Sequence, residues 1–232
     1  MVLAAGVLTL SACSRGDDGW LKSLLNLETK KPDLTTIDGL KKAIEQYKAE
    51  VEKKVAANQN IGVYYKMLAL KYMDNEMYGL ALDALTQAIK IYPENPQLFY
   101  YAAVSSARMA KADVTDQKTM EAGLTAAEEY YTRAIFLDPT YVNALYGLSV
   151  LYAVELGQEE EAEPLLKKIL ALEPKNLDAL FLLARTEYSL GRPEQAIDYY
   201  NRIIDTNPPA AIKTKAEDNK RQIQEELYGQ NQ

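Results

Sequence analysis

The chain has 232 residues, 48% of them hydrophobic and 25% charged, a globular balance that excludes disorder along the whole length and suffices for one or two cored domains. A formal net charge of −7 favours solubility and speaks against nucleic-acid binding, which needs clustered Lys and Arg to neutralise phosphate. With no His and a single Cys, the sequence lacks the commonest general base, the commonest metal ligand and any intrachain disulfide, leaving carboxylates and Tyr as conceivable acids or bases.

Residues 1–12 carry no charge and form an apolar stretch ending in small side chains, far shorter than the roughly 20 residues of a membrane-spanning helix. They read as an export signal, although the Lys or Arg that normally opens such a signal is absent between Met1 and Cys13. Leu10-Ser11-Ala12-Cys13 resembles the bacterial lipobox, and the resemblance implies thioether lipidation of Cys13 with cleavage before it. The residue types suit that chemistry, because small side chains let the chain enter a peptidase and a thiol is the best nucleophile among ordinary side chains. A lipid-anchored envelope protein facing the periplasm is implied, held in the bilayer through acylated Cys13. Ser14 after the Cys, by resemblance to the sorting rule of enteric bacteria, favours the outer membrane over the inner. Residues 13–35 read as a polar tether with one short helical turn around Trp20-Leu21 and Leu24-Leu25, Trp20 docking on the end of the folded body or the membrane interface.

Residues 36–61 are expected to form an amino-terminal capping helix, rich in Lys and Glu, with Leu40, Ile44, Tyr47 and Val51 along one stripe. Beyond it the chain repeats. Pro93, Pro139, Pro174 and Pro208 recur at intervals of 46, 35 and 34 residues. Ahead of the first of them stand Tyr65-x-x-Leu68-Ala69-x-x-Tyr72 and Ala81-x-x-x-Leu85-x-x-Ala88. This alternation of large, small and Pro resembles the tetratricopeptide (TPR) repeat, about 34 residues in two antiparallel helices. Small residues let the two helices approach, and large ones fill the gaps between neighbouring helices.

The resemblance implies an all-α fold: a right-handed TPR helical-hairpin solenoid of four repeats over residues 62–210, with capping helices at both ends. The repeats span 62–95, 96–141, 142–176 and 177–210. The second keeps Phe99, Ala102, Ala103, Ala127, Tyr131, Ala134 and Pro139, with Ser106 in place of the Tyr. Its additional residues fall around Met109 to Met120, giving longer helices or an enlarged loop. The third reads Leu145, Leu148, Ser149, Tyr152, Ala162, Leu166, Ile169 and Pro174, with Gly157 at the turn and Pro164 early in its second helix. The fourth reads Leu180, Leu183, Ala184, Ala196, Tyr200, Ile203 and Pro208, with Gly191-Arg192-Pro193 at the turn and Glu187 in the usual Tyr place. Residues 211–232 close the chain as a carboxy-terminal capping helix and tail, with Ile212, Ala216, Ile223 and Leu227 as a thin apolar face.

In TPR folds the first helix of each repeat lines the concave surface. The resemblance therefore assigns a protein-binding groove to Lys66, Leu70 and Met73, to Tyr100, Tyr101, Val104 and Arg108, to Tyr146 and Val150, and to Phe181, Arg185 and Tyr188. A chain with 17 Tyr against 3 Phe suits such a half-exposed, ring-lined surface. Tyr at helical spacing also packs against the next repeat, and these positions divide between the two roles. The groove would accept a protein or peptide ligand, rigid rings giving contact area and Arg pairing with carboxylates. A clamp for carboxy-terminal peptides is disfavoured, since only Lys66 matches its pattern of Lys and Asn. Asp113, Asp116 and Glu121 lack the Gly-containing calcium-loop pattern and read as solvated charge, so no metal site, cofactor or catalytic residue is assigned. The whole points to a non-enzymatic scaffold or adaptor lipoprotein of the bacterial envelope, which could also assemble as a homo-oligomer. An accessory TPR subunit of a periplasmic solute-uptake system, partnering a substrate-binding protein, is the alternative, and a carboxylate enzyme acting on sugar polymers has little support.

Overall fold

The computed structural model describes residues 36–112 and 116–229, and among these there are nine α-helices and no strand. The export signal, Cys13, the tether and Asp113 lie outside the described residues. The helices are α1 (Ile37–Asp74), α2 (Tyr78–Ile91), α3 (Pro96–Ala112), α4 (Gln117–Leu137), α5 (Val142–Val150), α6 (Glu159–Leu172), α7 (Leu177–Ser189), α8 (Pro193–Asp205) and α9 (Ala210–Tyr228). Contacts divide the chain into two units, Met1–Ala57 and Asn58–Gln232.

In the first unit, residues 37–57 are helical, and Leu40, Ile44, Tyr47 and Val51 are all exposed. The expected boundary between a capping helix and the first repeat, at residues 61 and 62, falls inside α1, which runs unbroken for 38 residues. The physical reason is plain: no Pro interrupts the segment, and Gly62 alone is too weak a breaker to end a long helix.

In the second unit the helices pair as hairpins, and the same hydrogen bonds join one repeat to the next. At the end of each second helix a cap N–H donates back four residues: Tyr92 to Ala88, Asp138 to Ala134 and Glu173 to Ile169. A three-residue turn follows, closed by Asn95 N–H to Tyr92, Tyr141 to Asp138 and Asn176 to Glu173. The prolines stand in these turns, where the missing N–H leaves no helical bond broken. α3 and α7 then start on a side-chain cap, Asn95 Oδ1 accepting from Gln97 N–H at 3.0 Å and Asn176 Oδ1 from Ala179 N–H at 2.9 Å, whereas α5 starts at Tyr141 without one.

Within a hairpin the turn needs one residue of positive φ, supplied by Glu76 (59°), Gly157 (63°) and Gly191 (71°). The N–H that follows closes the turn by donating to Tyr72, Tyr152 and Glu187 respectively. Between Tyr152 and Gly157 the third repeat has one residue more than the first and fourth have between their equivalents. It is absorbed by a wide π-helical turn over Leu151–Leu156, continuing α5. That turn accounts for the 35-residue proline interval, and it leaves Ala162 and Leu166 facing the core. Pro164 is carried inside a continuous α6.

The extra length of the second repeat lies mainly in its helices, α3 with 17 residues and α4 with 21, against 13 or 14 in α2, α6, α7 and α8. Asp116 begins α4 as its cap, accepting from Lys118 N–H at 3.1 Å, and Glu121 accepts from Gln117 at 2.8 Å. Bonded to the Thr119 hydroxyl and to the Lys118 and Thr119 backbone N–H groups, the Asp116 carboxyl is held below the usual range.

The small positions Ala69, Ala81, Ala88, Ala103, Ala127, Ala134, Ser149, Ala162, Ala184 and Ala196 are all fully buried. Between them sit Leu85, Leu145, Leu166, Leu180, Leu183 and Ile203, each worth about 1.5–3 kcal/mol when withdrawn from water. Leu68 shows what stacking adds. It is 42% exposed, whereas Ala102, Leu148 and Leu183 at the same place in later repeats are buried beneath the preceding hairpin. At the carboxy-terminal end α9 packs on α8, with Ala216 and Ile223 buried and Ile212 and Leu227 half-buried.

Candidate groove on the first helices

The first helices of the repeats are residues 62–74 of α1, then α3, α5 and α7. On each, the residue after the first large core position projects beside the core rather than into it: Lys66 after Tyr65, Tyr100 after Phe99, Tyr146 after Leu145 and Phe181 after Leu180. All four are half-buried, so the stack presents one cation and three rings at one register position.

Lys66 Nζ donates to Gln97 Oε1 on α3 at 2.8 Å, joining the first two repeats across this face. Leu70, Met73, Val104 and Val150 are half-buried beside the rings. Tyr100 sits in a tyrosine cluster, its ring centroid 5.3 Å from Tyr101, 6.2 Å from Tyr131 and 5.5 Å from Tyr141, the last edge-on. Burial, then the neighbouring Tyr101, raises the Tyr100 hydroxyl above its ordinary pKa, and burial does the same for Tyr141 and Tyr146. These hydroxyls keep their protons at neutral pH and remain donors. Among the described residues, those of Tyr100, Tyr101 and Tyr146 have no hydrogen-bond acceptor, and Arg108 and Arg185 are exposed and form no ion pair.

At the far end the surface is partly spent on the last helix. Phe181 packs edge-on against Tyr200 at 6.1 Å, with Lys215 Nζ of α9 5.4 Å from its ring. The Tyr188 hydroxyl donates in a short bond to the Glu226 carboxylate, also on α9. Thus Tyr188 and Phe181 join the carboxy-terminal helix to the stack, while Tyr100, Tyr146, Arg108 and Arg185 present groups to solvent. Tyr141, Lys215 and Glu226 belong to this surface and escape the repeat pattern. Tyr141 lies in the turn after Pro139, and the other two lie beyond the last repeat.

Glu187 is fully buried where the pattern has a large ring. Arg192 Nη1 lies 3.0 Å from its carboxylate and Lys167 Nζ 3.4 Å. Glu163 binds the same two cations, Arg192 at 2.9 Å and Lys167 in a short contact. The Lys167 hydrogen bond first, then Arg192, holds the Glu163 carboxyl below its ordinary range. The four side chains tie α6, α7 and the turn before α8 together, a structural network away from the rings.

A sequence profile described as tetratricopeptide repeat matches residues 153–216. Those residues are similar to the tetratricopeptide-repeat family, and the helix hairpins that contain them agree with it. A TPR repeat-containing protein of Borreliella burgdorferi is 24% identical over 196 residues, an alignment covering 82% of this chain and 84% of that one. A TPR repeat-containing protein of Methanocaldococcus jannaschii is 28% identical over 173 residues, covering 74% of this chain and 27% of its own length. Among solved structures, YrrB, titled a TPR protein with an unusual peptide-binding site, superposes with a TM-score of 0.55 at 19% identity, covering 88% of this chain and all of that one. A crystal structure of MamA gives 0.55 at 18% identity over 74% of this chain and 95% of that one. At such identities the likeness concerns the fold, and it agrees with the hairpin stack of the second unit. Among the described residues no helix is long and apolar enough to cross a membrane.

Proposed function

We propose that this TPR chain is a scaffold of the bacterial envelope, anchored through lipidated Cys13, that holds a protein partner along the first-helix face of its repeats. The observation that carries the binding role is the pair of half-buried rings Tyr100 and Tyr146 at one register position, with Arg108 and Arg185 on the same set of helices without ion-pair partners. Half-buried rings offer contact area at small entropic cost, and free guanidinium groups select carboxylates. The anchor rests on Leu10-Ser11-Ala12-Cys13 after an uncharged apolar stretch.

Two measurements test the halves separately. A photo-reactive phenylalanine replacing Tyr146 is expected to give one discrete protein adduct in cells, and the same probe at Phe136, 73% exposed on second helix α4, is expected to give none. Equal yields at both positions would refute the groove. For the anchor, metabolic labelling with a clickable fatty acid is expected to mark the parent chain and not Cys13→Ala. Equal labelling would refute lipidation at that residue.

A further inference from the structure

We infer that the segment held on this face is a proline-rich stretch in the polyproline-II conformation, flanked by acidic residues, an inference that rests on the groove reading above. The argument begins with spacing. Tyr100 and Tyr146 occupy one register position on α3 and α5, which are in contact, while Phe181 at the same position on α7 is covered by Lys215 of α9. Packed helices lie roughly 8–10 Å apart, so the two rings stand about that far apart along a ligand crossing the helices. A polyproline-II chain has three residues per turn at about 3.1 Å each, so the same side of it returns every ~9 Å, one turn per repeat. A β-strand returns the same side about every 6.7 Å and falls out of step by the second ring.

An α-helix comes back into step after two turns, near 11 Å, and spacing alone does not exclude it. Hydrogen bonding separates the two. The hydroxyls of Tyr100, Tyr101 and Tyr146 are donors without acceptors among the described residues, whereas Gln97 Oε1, an acceptor on the same face, is already taken by Lys66. A helix has spent its backbone carbonyls internally. A polyproline-II chain leaves every carbonyl open, and proline contributes no N–H that would need an acceptor. Flat pyrrolidine rings also stack on tyrosine faces while bringing little conformational entropy to lose. Arg108 on α3 and Arg185 on α7 lie on the first and last of the three helices, which places the complementary carboxylates outside the proline core.

The test is fluorescence anisotropy of the full chain with three dye-labelled peptides. The first has three Leu-Pro-Pro triplets between pairs of Glu. In the second each Pro-Pro is replaced by Gly-Ala, and the third is an Ala-rich helical peptide with Leu seven residues apart and the same Glu pairs. The expected result is at least tenfold tighter binding of the proline peptide than of either control. Tyr100→Phe and Tyr146→Phe, which keep the rings and remove the donors, should each weaken it about three- to tenfold. Arg108→Gln with Arg185→Gln should flatten its salt dependence. Circular dichroism identical to the parent's shows that these variants fold. Tighter binding of the helical or Gly-Ala peptide, or Tyr→Phe variants with parental affinity, would overturn the polyproline assignment while leaving the groove intact. If none of the three peptides binds, the assignment also falls, and the adduct at position 146 decides the groove reading on its own.

Discussion

Gly147 on α5 faces Tyr131 of α4 so closely that a Cβ there would lie 2.4, 2.6 and 2.8 Å from Cε1, Cζ and Oη of the ring. Carbon atoms in contact stand nearer 3.5–4 Å, so Gly147→Ala forces the ring back by about 1 Å. The ring has little room, being buried with Ala127, Ala144 and Leu148 and braced by Tyr100. Overpacking of this kind costs about 1–3 kcal/mol, and the gain of Ala over Gly inside a helix offsets up to about 1 kcal/mol. The expected net loss is about 1–2 kcal/mol, a fall in Tm of about 2–8 °C for a chain of this size. The other repeats show what relieves the clash: Leu85 and Leu166 stand where the second repeat has Tyr131, and Leu182 stands where the third has Gly147. In a Tyr131→Leu background the obstacle is gone, and Gly147→Ala should raise stability by about 0.5–1 kcal/mol. Thermal and urea unfolding followed by circular dichroism measure all four corners of the cycle. A rise in Tm on Gly147→Ala in the parent chain, or the same sign in both backgrounds, would refute the packing argument.

Deleting Val154 removes the extra residue of the π-helical turn, so stability should stay within about 1 kcal/mol of the parent, whereas deleting Ser189, whose repeat has no residue to spare, should cost about 2 kcal/mol or more. Equal losses in urea titrations would show that the π turn is not an absorbed insertion. Arg192→Met takes the guanidinium from buried Glu187, leaving Lys167 at 3.4 Å, and is expected to lower Tm, most of the loss being recovered when Glu187→Leu is added. A second substitution that brings no recovery would show that the loss is not an unpaired buried charge. Because the Glu163 carboxyl is held below its unfolded value, its stabilisation is complete above the ordinary carboxylate pKa and fades as pH falls through the lowered folded one. The Tm difference between the parent and Glu163→Gln, measured against pH, should therefore be constant near neutrality and shrink only in acid; a difference that grows on acidification would contradict this sign.

Much of the array is a local matter, and local matters are written in sequence. Ala81, Ala88, Ala134 and Ala196 mark close helix approach because only a small side chain fits there, and the prolines mark turns because they cannot donate within a helix. Recurrence of the two at one interval is enough to specify stacked hairpins, and the buried small positions follow that pattern residue by residue. Where two local options cost nearly the same, sequence does not choose between them. Nothing between Thr36 and Asp74 decides between one long helix and two, and the additional residues of the second repeat satisfy helix grammar as well as loop grammar. The π turn is of the same kind, since one surplus residue could sit in the turn or the helix until packing of Ala162 and Leu166 holds the register on both sides.

The tertiary structure alone decided which rings on the first-helix face remain available. Phe181 shares the register of Tyr100 and Tyr146 and Tyr188 follows it on the same helix, but Lys215 and Glu226, further along the chain on α9, engage these two rings, and no periodicity reports a partner supplied by another helix. Sequence by itself determined the repeat, its turns and its small-residue seams, because those depend on residues within one hairpin. The free hydroxyls and guanidinium groups of the first-helix face, and the buried charge of Glu187 between two cations, depend on what neighbouring hairpins bring within 3–4 Å, a distance that only the folded chain sets.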